Sequence, residues 1–264
     1  MPLSAVSIEE LVIEDEASLA SVDLYPRLKA VLRRTGHRFY VPAGGEPASW
    51  DRTVFLNLTY WGGPQAGDVL GEPSIPADVI AHTAWHHLAA EALTGPDGAA
   101  ALTPRGMFFG ESIASAFDLY LLGHLLNHAP QSDFVVSQAP IMSEVAENAG
   151  LSAREFATLM DGISRDPERA FEDLRALLYD VTSALFEVSD AEAAALVLER
   201  FAAHRFHALL HHYQLSNWIL YARAYARARD ANAGTGPDEK VGALDAALRA
   251  APSSVRWLAA QWLA

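Results

Sequence analysis

The sequence predicts a mainly α fold, a helical domain with a small N-terminal β-hairpin or sheet. Three observations carry that expectation. From Ile75 onward, segment after segment places apolar residues at helical spacing. Ahead of that region, two β-rich runs, HRFYV and DRTVFLNLTYW, flank the turn-like PAGGEPASW. Hydrophobic residues make up 51% of the 264 positions, enough for a substantial core. The expected organisation is a single domain over 1–264, with the β element at about 37–60 and the helical region at 75–264.

The elements follow in order. Residues 17–35 have helical spacing and run into Gly36, with Pro26 marking a kink or a new helix start. Residues 62–74 are rich in glycine and proline and read as a loop. PADVIAHTAWHHLAAEALTG opens on proline and closes on glycine, as a helix should. PRGMFFGESIASAFDLYLLGHLLNH is a second, longer helix, and MSEVAENAG a shorter one. SAREFATLMDGI starts with a capping box of Ser152 and Glu155. PERAFEDLRALLYDVTSALFEV follows. Residues 189–230 then read as one very long helix or two joined helices, capped by Ser189 with Glu192. DEKVGALDAALRA and SSVRWLAAQWLA complete the chain.

Composition removes several function classes. The formal net charge is −14, and Lys and Arg form no cluster of the kind a phosphate backbone requires. Nucleic acid and anionic membrane are therefore not expected partners; a small molecule or peptide substrate is. With no cysteine, the chain can form no disulfide, thiolate zinc site or cysteine nucleophile. The acidic MPLSAVSIEELVIEDE lacks a signal-peptide pattern, and no apolar run is long enough to span a bilayer. A cytoplasmic location is expected.

The histidines are concentrated. Of ten, nine fall in three segments: His82, His86 and His87; His124 and His128; His204, His207, His211 and His212. His82 and His86 are one helical turn apart and share a face with Val79, Ala89 and Leu93, while His87 points away beside Ile80 and Glu91. An i, i+4 pair can hold one metal ion from a rigid scaffold. On the next helix Glu111, Ser115, Asp118 and Leu122 form a stripe among apolar residues, and a carboxylate there is costly unless paired, protonated or bound to a cation. Asp78, one turn before His82, could orient an imidazole. In the last segment His204, His207 and His211 would share a helical face with Arg200, Leu215 and Trp218. That face could supply an acid or base, further ligands, or simply an interhelical seam.

HTAWH, followed by GESIASAFD with Glu111 lying 25 residues after His86, resembles the active-site helices of gluzincin-type zinc metallopeptidases over about residues 50–126. The resemblance implies His82, His86 and Glu111 as zinc ligands, with Asp118 or Asp78 supporting them. The pattern is broken at Thr83, which stands where that family has its catalytic glutamate. A threonine is no general base near neutral pH. The base would then come from His207, His211 or Asp118.

Three readings stay open from the sequence. The first is a metal-dependent hydrolase with a His/His/Glu zinc site and an atypical base. The second is a non-haem iron or di-metal helical-bundle oxygenase, since the same donors suit iron. The third is a non-catalytic, degenerate peptidase relative.

Overall fold

The computed structural model describes residues 3–43, 58–60, 67–94, 102–228 and 236–263. The chain is mainly α, with small sheets near the N-terminus. It divides into two compact units, Met1–His87 and Leu88–Ala264.

The first unit holds β1 (Leu3–Val6), β2 (Val12–Glu14), the short α1 (Glu16–Leu19), α2 (Tyr25–Thr35), β3 (Phe39–Pro42), β4 (Leu58–Tyr60), β5 (Gly67–Val69) and β6 (Ser74–Pro76). It also contains the start of α3 (Ala77–Thr94). Helix α2 buries Tyr25, Leu28, Val31 and Leu32 along one face. Pro26 sits in its first turn, where the missing N–H has no partner to lose. Gly36 ends the helix at φ 63°, a left-handed conformation that glycine adopts without strain.

One sheet has the order β1-β3-β5-β4, and a second pairs β2 with β6 in parallel. β3 and β4 are therefore not hairpin partners, because β5 lies between them, parallel to β3 and antiparallel to β4. Residues 62–74, expected as a loop, contain β5 and the first residue of β6. Strands of three residues carry no readable alternation, and only their distant partners define them. Of the predicted strand run DRTVFLNLTYW, residues 51–57 and 61 lie outside the described residues.

The second unit is built around α4 (Pro104–His128), buried along almost its whole length. It packs chiefly on α7 (Pro167–Phe186), and also on α6 (Ala153–Arg165), α10 (Gly236–Ala250) and α9 (Leu215–Ala228). Gly123 permits the closest approach: a Cβ there would lie 2.8 Å from the Ile163 carbonyl oxygen and 3.1 Å from Pro167. Thr103 caps α4, its hydroxyl accepting from the Gly106 N–H at 3.1 Å and donating to Asp238 at 2.6 Å. Within α7, the Arg175 side chain is 0% exposed and is held by Glu172 and by Asp245 of α10.

Two sequence expectations are corrected in this unit. The helix containing MSEVAENAG begins earlier: α5 spans Asp133–Asn148, with Ser132 as its cap and Pro140 inside it. Burial of Phe134, Val135, Met142 and Ala146 holds the helix together across the proline. The 189–230 segment, expected as one very long helix or two joined helices, forms two helices separated by non-α residues. α8 (Ala191–Glu199) is capped by Asp190 rather than Ser189, the Asp190 carboxylate accepting from the Ala193 N–H at 2.8 Å. A turn region, a 3-10 helix over His207–Tyr213, and Gln214 at φ 49° precede α9. Local bonds compete with helix here. His204 Nδ1 accepts from the Phe206 N–H, and Arg205 covers the buried Phe206 ring while pairing with Asp173 at 2.9 Å. α11 (Ser254–Trp262) closes the chain. Among the described residues no helix is long and apolar enough to cross a membrane.

Candidate metal centre

His82 and His86 stand one turn apart on α3, with ring centroids 4.9 Å apart and planes at 58°. Glu111 lies two turns into α4. Each of the three offers a ligand atom, and these atoms all lie within 4.8 Å of one another. All three side chains are half-buried, and His86 Nε2 and Glu111 Oε2 are shielded from solvent. Zinc bonds of about 2.0–2.2 Å place neighbouring ligand atoms about 3.3 Å apart, so small side-chain adjustments would close the group around an ion. Among the described residues this is the one group of three or more His, Asp or Glu that meets this spacing.

Helix α3 is buried most of the way round: Ile80, Ala81, Ala84, Trp85 and Leu88 are buried, as are Ala89 and Leu93 on the histidine face, whereas Val79, His82 and His86 are half-buried. The histidine stripe borders the core instead of occupying its centre, because the helix is apolar on nearly every side. Thr83 is 8% exposed and places no carboxylate beside the ligands.

His87 has a partner the sequence did not suggest. Its Nε2 lies 2.8 Å from His37 Nδ1, and His37 Nε2 lies 3.2 Å from Asp68 Oδ2. The His37 ring also meets the edge of Phe39 at 4.7 Å. Sheet register explains the assembly: Asp68 of β5 is opposite Phe39 of β3, two residues from His37. His37 and Asp68 side chains are each 7% exposed. Burial, and then the neighbouring His37 and His86, pull the His87 pKa down to about 4 against the opposing pull of Asp68. His37 was the one histidine outside the three sequence clusters, and Asp68 fell in a segment read as loop. No local pattern could have joined them.

The third histidine cluster does not form the α-helical face expected of it. His207 and His211 lie on the 3-10 helix, His207 half-buried and His211 exposed. Burial lowers the pKa of His204 and of His212, with Asp118 opposing the shift at His212. Burial and Asp118 together raise the Tyr213 phenol well above its ordinary range. The cluster residues that sense Asp118 are therefore His212 and Tyr213, which the spacing argument had placed at the margin or passed over. Asp118 is seven residues beyond Glu111, about 10.5 Å along the helix axis. His124 is half-buried and packs edge-on against Tyr120 at 4.4 Å, and His128 is exposed at the end of α4.

No family model, curated protein or solved structure in the comparisons matches this chain.

Proposed function

We propose that the protein is a metal-dependent enzyme, a hydrolase acting on a small molecule or peptide through one zinc ion held by His82, His86 and Glu111. The observation that carries this reading is the convergence of three ligand atoms within 4.8 Å from two consecutive helices. Two neutral imidazoles and a carboxylate are a zinc donor set that leaves a fourth position for water or substrate. Zinc in such a site lowers the pKa of bound water and polarises a carbonyl.

The base differs from that of the peptidases the motif resembles. Thr83 cannot act as a general base near neutral pH. Asp118, two helical turns from Glu111, contributes a negative charge that favours protonation of His212 and of the Tyr213 phenol. A zinc ion held by His82, His86 and Glu111 would have to supply the activation of water that a glutamate base shares in the peptidases.

A second reading rests on the same donor set. Two histidines and one carboxylate with open positions also suit ferrous iron in oxygen chemistry. Elemental analysis by plasma mass spectrometry on untagged protein separates the two, with Glu111→Gln beside it and hydrolysis of an ester and a peptide panel as the activity readout. Zinc that is lost in Glu111→Gln, with chelator-sensitive hydrolysis, supports the first reading. Iron with oxygen consumption favours the second. Bound metal without turnover in either assay leaves a non-catalytic metal protein, and no metal after reconstitution removes the site.

A further inference from the structure

The His37–His87 pair goes beyond the site described above and lies wholly within the first unit. Asp68 engages His37 through Nε2, so in the neutral ring the N–H is on that side and the Nδ1 lone pair points at His87. A carboxylate fixing one ring nitrogen while the other is left as a donor is the arrangement found behind metal-ligating histidines. The facing atom is a second imidazole nitrogen, His87 Nε2, at 2.8 Å. Asp68 cannot join as a third ligand, because it meets the opposite edge of the His37 ring. Its place is in support of the pair.

We propose that His37 Nδ1 and His87 Nε2 form a second, two-histidine metal site, oriented by Asp68, that takes a zinc-class divalent cation and completes its coordination with water. The site is distinct from the His82/His86/Glu111 group. His87 projects about 100° around the helix from His86, and its hydrogen-bond partner His37 is not a member of the first group. Binding requires two small changes. The nitrogens part from 2.8 Å to about 3.3 Å, the separation set by two metal–nitrogen bonds on a tetrahedral ion. The single proton between the rings, carried by His87 Nε2 in the hydrogen-bonded state, moves to His87 Nδ1. No proton is released, and the Asp68–His37 hydrogen bond is kept. Imidazole donors suit zinc, cobalt, nickel and copper, and exclude calcium or magnesium as the preferred ion.

The test is the stoichiometry and affinity of cobalt(II) alone, titrated into metal-free protein of the full chain, for wild type, His37→Asn, Asp68→Asn and Glu111→Gln. Folding of each variant is checked by circular dichroism. Two ions in wild type, one in His37→Asn and one in Glu111→Gln is the expected result. Asp68→Asn keeps both ligands and so serves even if His37→Asn fails to fold; it should bind its second ion about 10–100-fold more weakly. One ion in wild type, unaffected by Asp68→Asn and lost in Glu111→Gln, overturns the proposal and leaves the pair as a structural hydrogen bond. One ion that survives Glu111→Gln but weakens in Asp68→Asn supports this site and removes the first.

Discussion

His82 and His86 face each other across one turn of α3, with ring centroids 4.9 Å apart. Helical geometry alone makes the two rings neighbours, and Glu111 supplies a third donor within 4.8 Å of both. On the proposed reading, replacing any one of the three leaves two ligands. His82→Ala, His86→Ala and Glu111→Gln are each expected to weaken zinc binding at this site by more than about 100-fold. Competition with a chelating dye measures that loss. Unchanged affinity in Glu111→Gln would show that the carboxylate is not a ligand.

Thr83→Glu restores the carboxylate that the motif lacks. It is expected to raise metal-dependent amide hydrolysis above the wild-type rate while costing about 1–3 kcal/mol of stability, because position 83 is 8% exposed and the new group must leave water. Steady-state hydrolysis of a peptide panel, read with a urea unfolding curve, checks both halves. A folded, metal-loaded variant with no gain would count against peptidase-type chemistry at this centre.

Arg175 illustrates the opposite use of buried charge. Its guanidinium meets Glu172 at 2.7 Å and Asp245 at 2.8 Å with no exposure to solvent, tying α7 to α10. Arg175→Met leaves two carboxylates facing an apolar side chain and is expected to cost about 3–5 kcal/mol. Adding Glu172→Gln and Asp245→Asn should recover part of that loss. Denaturant midpoints across this series give the measurement, and a single-variant cost below about 1 kcal/mol would rule out a central role for the network.

His212 gives a pH dependence with a definite sign. In the unfolded chain it takes a proton near pH 6.5; in the folded chain burial delays that to lower pH. Between those two values the unfolded state binds more protons, so acid favours unfolding and the contribution of His212 is present above about pH 6.5. Wild type is expected to lose stability as pH falls below that value, and His212→Gln to lose less over the same range. Thermal unfolding of metal-free protein across pH 4.5–7.5 tests this, in the spirit of linkage analysis. Parallel profiles for the two proteins would exclude His212 as a source of the slope.

Much of the fold was legible in the sequence because helices announce themselves locally. α4 occupies the segment its spacing marked, α6 opens on the expected Ser152–Glu155 box, and Pro26 and Gly36 bracket α2 where a helix start and stop belong. The sheets were only partly legible. β5 and β6 are three residues each, and their parallel partners are distant in sequence, Phe39 opposite Asp68 and Val12 opposite Ser74. Two helices over 189–230 were one of the two expected outcomes, but the place and length of the interruption were not legible, since His204, Arg205 and Phe206 are acceptable helix residues until Asp173 and the core hold them in another conformation.

By itself the sequence determined the His82/His86 pair and the Glu111 stripe, because one helical turn fixes which side chains share a face. Only the tertiary structure decided which partners met. It brought Glu111 near the histidine pair, put His212 and Tyr213 within the electrostatic reach of Asp118, and assembled Asp68, His37 and His87 through the register of β3 and β5. Periodicity describes one element at a time, whereas these contacts depend on how separate elements pack, and burial of the whole chain sets that packing.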